Sequence, residues 1–166
     1  MKIVVDSPTL IYFNKTGLDW IFREFETIIP ESVYREVAVS GSEKNRKDSA
    51  IAENLANQGS LKVLKAKSVF KNTSTAFNHL GLGEIEALCL AKENNCIAII
   101  DDRSAREIGK LFGVEVHGSF YLLLVLCAKG KISKSQAVDF LNNLIDSGWY
   151  CSTEVYKAML EKLKEI

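Results

Sequence analysis

The chain has 166 residues, 47% of them hydrophobic and 25% charged, the balance of a single globular domain with a sizeable core. Its 21 basic and 21 acidic residues leave a formal net charge of +0, which excludes broad electrostatic attraction to nucleic acid and leaves only local patches for that purpose. No stretch reaches the roughly 18 apolar residues of a membrane span, and the opening MKIVVDSPTL lacks the apolar centre of a signal peptide, so a cytoplasmic protein without a membrane partner is expected.

In chain order, Ile3–Val5 is a short β-branched strand ending at Asp6, and Ser7 reads as the N-cap and Pro8 as the first position of a helix that runs to about Lys15. A second helix is expected over Leu18–Phe25 and a second strand over Thr27–Ile29, with Pro30 opening a further helix through Val33 and Val37. SGSEKNRKD, residues 40–48, has the composition of a polar loop, and its Lys44–Lys47 portion is either a solvated segment or a guide for a nucleic-acid backbone. Ser49–Gln58 is helical with Gly59 as its stop, LKVLKA (61–66) is extended, and Ser68–His79 carries no readable period. Gly83–Asn94 is a helix, Ile97–Ile100 a wholly apolar strand covered on both faces, and Arg103–Phe112 a helix stopped by Gly113. Val114–Val116 is a last strand, followed by helices over Phe120–Lys129, Lys134–Asp146 and Thr153–Lys164.

Short apolar strands alternating with helices predict an α/β fold, a three-layer α/β/α sandwich around a parallel sheet. One domain spans residues 1–166, with the helices from about residue 133 packing on it or on a partner. Cys89, Cys96, Cys127 and Cys151 form no C-x-x-C pair and read as small hydrophobes, and His79 and His117 match no zinc spacing.

Ligands of open parallel sheets bind beyond the carboxyl ends of the strands. Asp6 ends the first strand, and Asp101 and Asp102 end the strand at Ile97–Ile100; if the two strands are neighbours, these acids share an edge. At 100° per residue, Glu84 falls on the inward side of its helix and Glu86 on the solvent side, while Glu36 lies beside the Val33/Val37 stripe. Each acid also fits a plainer role: Asp6 simply precedes the cap of the next helix, one of Asp101 and Asp102 caps the Arg103 helix, Glu84 is a favourable first-turn charge, and Glu36 is a solvated residue. A cluster of carboxylates at a strand end repels and requires cations, and an all-oxygen set without His or Cys suits Mg²⁺ or Mn²⁺.

VVDSPTLIYF, VYREV, GLGEIEALCLA and IIDDRSARE, in that order, resemble the PIN-domain family, and most of all its small archaeal and bacterial branch with G-x-G-E-x-x-A and I-D-D-R-x-A-R motifs. The resemblance runs from Met1 to about Leu124. It implies a Mg²⁺- or Mn²⁺-dependent endoribonuclease that hydrolyses RNA phosphodiester bonds, a homodimer, and the toxin half of a toxin–antitoxin pair with an antitoxin protein as partner. The family's four acids fall on Asp6, Glu36, Glu84 and the Asp101/Asp102 pair; Glu84 stands where Asp is common. Relatives carry T-x-D at the fourth position, which aligns Ile100-Asp101-Asp102 and makes Asp102 the direct equivalent. The implied catalytic set is Asp6, Glu36, Glu84 and Asp102, with metal held by Asp6, Glu84, Asp101 and Asp102. Ser7 orients Asp6 or a water, and Arg103 and Arg106 grip phosphate or simply neutralise the acids. A non-catalytic PIN-like regulatory or protein-binding subunit is the competing expectation. A receiver domain or a haloacid-dehalogenase-type phosphatase fits less well, because Asp6-Ser7-Pro8 lacks the second acid that either places after the first strand.

Overall fold

The computed structural model describes residues 1–39, 46–67 and 79–166. Its strands are β1 (Lys2–Val5), β2 (Glu26–Pro30), β3 (Leu61–Leu64), β4 (Ile97–Ile99) and β5 (Val116–His117). Its helices are α1 (Ser7–Lys15), α2 (Glu31–Tyr34), α3 (Arg46–Asn57), α4 (Leu82–Asn94), α5 (Arg103–Leu111), α6 (Phe120–Ala128), α7 (Lys134–Asp146) and α8 (Thr153–Glu165). The strands form one sheet in the order β3-β2-β1-β4-β5, and every neighbouring pair is parallel. Among the described residues no helix is long and apolar enough to cross a membrane.

Side chains along a strand alternate between faces, and here both faces are apolar. Ile3, Val5, Ile29 and Ile99 face one layer, where they meet Leu10 and Phe13 of α1, Ala52 and Leu55 of α3, and Leu122, Leu123 and Leu126 of α6. Ala137, Leu141 and Leu144 of α7, together with Trp149 and Leu163, extend that same cluster. Val4, Ile28, Ala98 and Ile100 face the other layer, against Ala87–Ala91 of α4 and Ala105 of α5. The molecule is thus an α/β/α sandwich, as the alternation of strands and helices requires.

Several elements differ from the sequence expectation. Leu18–Phe25 is realised as a tighter 3₁₀ turn over Asp19–Glu24. Pro30 closes β2, paired with Leu64 of β3, and the helix begins one residue later. After one turn that helix widens into a π-helical turn, Arg35–Val39, which carries Glu36. The last strand sits at Val116–His117 because Val114 belongs to the helix stop: its N–H donates to the Gly109 carbonyl (2.8 Å) around Gly113, whose φ is +65°. This is the six-to-one closure that a left-handed glycine makes at a helix end. Residues 46–48 of the expected polar loop are the first turn of α3, and the rest of that loop lies outside the described residues, as do 68–78 of the segment without a period. The Lys44–Lys47 side chains likewise lie outside the description. All four cysteines are free thiols.

Candidate active site

β1 and β4 are sheet neighbours, with Val5 level with Ile99, and the Asp6 N–H extends the ladder to the Ile99 carbonyl (3.3 Å). The condition for Asp6, Asp101 and Asp102 to share an edge is therefore met. The strand order also reverses at this pair: β2 and β3 lie to one side of β1, β4 and β5 to the other. Consequently α1 leaves the edge toward one face and α5 toward the other, and the crevice between them is where sheets of this kind take ligands.

Asp6 is only 1% exposed. The cap of α1 falls on Asp6 and not on Ser7, which is already helical: Asp6 accepts the Thr9 N–H on Oδ1 (2.9 Å), while Oδ2 is buried with no partner among the described residues. Burial, and then the nearby Asp101 and Glu84 carboxylates, push its pKa up to about 7 against the opposing pull of Thr9. Buried acceptors are normally satisfied, so this oxygen is a place for a proton or a cation.

The two adjacent aspartates separate into different situations. Asp102 is exposed and caps α5, its Oδ1 accepting the Ala105 N–H at 2.8 Å. Asp101 does not cap a helix. Its Oδ1 accepts the Ser119 N–H (2.7 Å), and its Oδ2 accepts both the Ser119 hydroxyl (2.6 Å) and the Trp149 indole N–H (2.7 Å). The Ser119 hydroxyl, its proton given to Asp101, lies 3.0 Å from the Thr9 hydroxyl, which links this fork back to the Asp6 loop. The fork also explains Gly118: a Cβ there would press to 3.0 Å from Asp101 Oδ1.

Glu84 is half-buried in the first turn of α4. Its Oε2 accepts the Gly81 N–H (2.8 Å), and its pKa is raised by burial and by the charges of Asp102 and Glu36, against that same hydrogen bond. The start of α4 lies against the Asp6 loop, since a Cβ on Gly83 would stand 3.1 Å from Val33 and 3.5 Å from the Ser7 hydroxyl. Ser7 is buried and donates its hydroxyl to Glu36 Oε2 at 2.5 Å. Glu36 itself is exposed. Glu86, expected on the solvent side, is half-buried and accepts the Ser32 hydroxyl at 2.6 Å.

Asp6, Glu84, Asp101, Asp102 and Glu36 thus form one electrostatically connected set, although among the described residues no three carboxylates stand in metal-holding array. Arg106 donates from Nη1 to the Asp101 carbonyl (2.9 Å). Arg103 is exposed and pairs with Glu107 (3.1 Å). Placing the cap at Ser7 hides the Thr9 N–H that holds Asp6, and Ser119 and Trp149 lie 18 and 48 residues from the carboxylate they hold, so no local pattern marks them.

Residues 2–165 match the model of a family described as a PIN domain. No curated protein matches the chain.

Proposed function

The chain belongs to the PIN-domain family, whose members are generally nucleases, and from that premise we propose that it is a Mg²⁺- or Mn²⁺-dependent endoribonuclease. The observation that carries this reading is the division of labour among the acids. Asp6, Glu84 and Asp102 each commit one carboxylate oxygen to a backbone N–H and keep the other uncommitted among the described residues. In Asp6 that other oxygen is buried and unsatisfied. An all-oxygen donor set with an orphaned acceptor fits a hard divalent ion, and these three acids would hold it by drawing together, since no three of the described carboxylates stand in metal-holding array as they are. Bound there, the ion would supply the positive charge that lowers the pKa of water and offsets charge on a phosphodiester.

The remaining roles fall to the chain's own groups. Asp101, with both oxygens occupied by Ser119 and Trp149, supports the strand end rather than ligating. Ser7 fixes Glu36 through Oε2, and Oε1, without a hydrogen bond among the described residues, would take a proton from the attacking water. Arg106 spends one N–H on the Asp101 carbonyl and keeps the rest of its fork for a phosphate; Arg103 can join it by releasing Glu107. We place the protein in the cytoplasm as a homodimer and as the toxin of a toxin–antitoxin pair, the antitoxin being a protein that covers the crevice.

Because the three proposed ligands also act as helix-terminal acceptors, a non-catalytic PIN-like binding subunit is the second reading. Cleavage of a panel of single-stranded RNAs separates the two. The proposal expects cutting with Mn²⁺, none in EDTA, and losses of more than roughly a hundredfold in Asp6→Asn and Asp102→Asn, beyond the 10–100-fold typical of groups that merely orient ligands. No cleavage, or equal cleavage by both variants, overturns it.

A further inference from the structure

A cavity of about 630 Å³ opens beside the acidic crevice, between the start of α5, β5, α6 and α8. The roles proposed so far use only the end they share with it, Asp101, Arg103 and Arg106. Its volume is within the range of small-molecule sites, roughly 300–1,000 Å³. Aromatic side chains stand among the aliphatic ones of its walls, Tyr150 being the exposed one. The Tyr121 ring lies stacked on His117, centroids 3.9 Å apart and planes 6° from parallel, the Trp149 indole lines the end nearest Asp101, and Tyr150 stands at the opening, 86% exposed. Its charged lining is one-sided. Asp101 is the one acid among the lining residues and both its oxygens are occupied, whereas Arg103, Arg106 and Lys162 are cations. Arg103 is offset by Glu107, but Lys162 is exposed and has no ion-pair partner among the described residues.

Aromatic side chains beside cations, of which Lys162 has no ion-pair partner among the described residues, in a chain with no net charge to provide general attraction, are the elements of a single-strand binding surface: rings for bases, cations for phosphates. We propose that this cavity is a base-stacking subsite that takes a nucleotide of single-stranded RNA neighbouring the one cut at the acids. Arg106 joins the two places, since it lines the cavity and is fixed to the Asp101 carbonyl. The assignment names the substrate's path and rests on the nuclease reading.

Binding of a short labelled single-stranded RNA, measured by anisotropy in EDTA so that nothing is cut, tests it on the whole chain. Tyr150→Ala, at a position too exposed to threaten folding, weakens binding about tenfold, the usual size of one lost base–aromatic stack. Tyr150→Phe retains binding, because stacking needs the ring and not the hydroxyl. With Mn²⁺ the Tyr150→Ala loss falls on KM rather than on kcat. No binding by the parent, or equal binding by parent and Tyr150→Ala, overturns the subsite. A change in oligomeric mass with Tyr150→Ala overturns it as well, marking the cavity as a protein contact. Failure of the nuclease reading has a different signature, Tyr150-dependent binding of RNA that is never cut; failure of the subsite alone leaves Mn²⁺-dependent cleavage with an unaltered KM.

Discussion

Asp6 carries the sharpest tension between stability and chemistry in the molecule. Its pKa rises from 3.8 to about 7 on folding, chiefly through burial. Between those values the native state holds a proton that the unfolded chain has released, so stability falls as pH rises through that window and levels off above it. The full effect is on the order of a few kcal/mol. Asp6→Asn removes the titration, so in EDTA it should melt above the parent at pH 8, and the gap should shrink as pH falls toward 5. A divalent ion needs the deprotonated form; Mn²⁺ should therefore raise the parent's melting temperature more at pH 8 than at pH 6, and leave Asp6→Asn unmoved. Equal melting of the two proteins at pH 8 would sink this account. At this scale the sequence was informative wherever an acid ends a strand or opens a helix, which places Asp6, Asp102 and Glu84. It was silent on which member of Asp101–Asp102 is tied down, because that is decided by Ser119 and Trp149 from later in the chain.

The elements that hold the acids are positioned by close packing, and the tightest approach is at Gly109 of α5. A Cβ there would lie 2.3 Å from Val116 Cγ2 and 3.2 Å from Leu88 Cδ2, so the glycine lets α5 settle onto β5 and α4. Val116 cannot swing aside easily, because β-branched side chains are stiff at χ1. Gly109→Ala should cost about 1–3 kcal/mol despite its better helix propensity, read as a lower denaturation midpoint. Val116→Ala in the same chain should recover part of the loss, and a simply additive double variant would show that the two side chains do not clash. The helices and strands themselves were legible from apolar period and from Pro and Gly, but the ends of β5 and of the Pro30 helix were not. There the backbone satisfied itself in other ways: Val114 closed the α5 terminus, and α2 widened into a π-helical turn.

For the molecule as a whole, the parallel sandwich followed from patterning, whereas the order β3-β2-β1-β4-β5, which puts the acids at a reversal point, depends on tertiary pairing that no local window carries. The same scale governs how RNA is attracted. A net charge of +0 provides little long-range steering, so affinity must come from the few cations beside the crevice. If Arg103, Arg106 and Lys162 neutralise one phosphate each, counterion release gives log K against log salt a slope of about −2 for single strands, since each contact contributes about −0.7. Lys162→Ala should flatten that slope by about 0.7 and weaken all sequences alike, as a phosphate contact does, whereas Tyr150→Ala should lower affinity while leaving the slope in place. Titrations across a salt series with each protein measure both quantities. A parent slope steeper than about −4 would mean that RNA is gripped elsewhere, with Lys44–Lys47 the first segment to mutate, and the cavity would then lose its claim to the phosphate contacts.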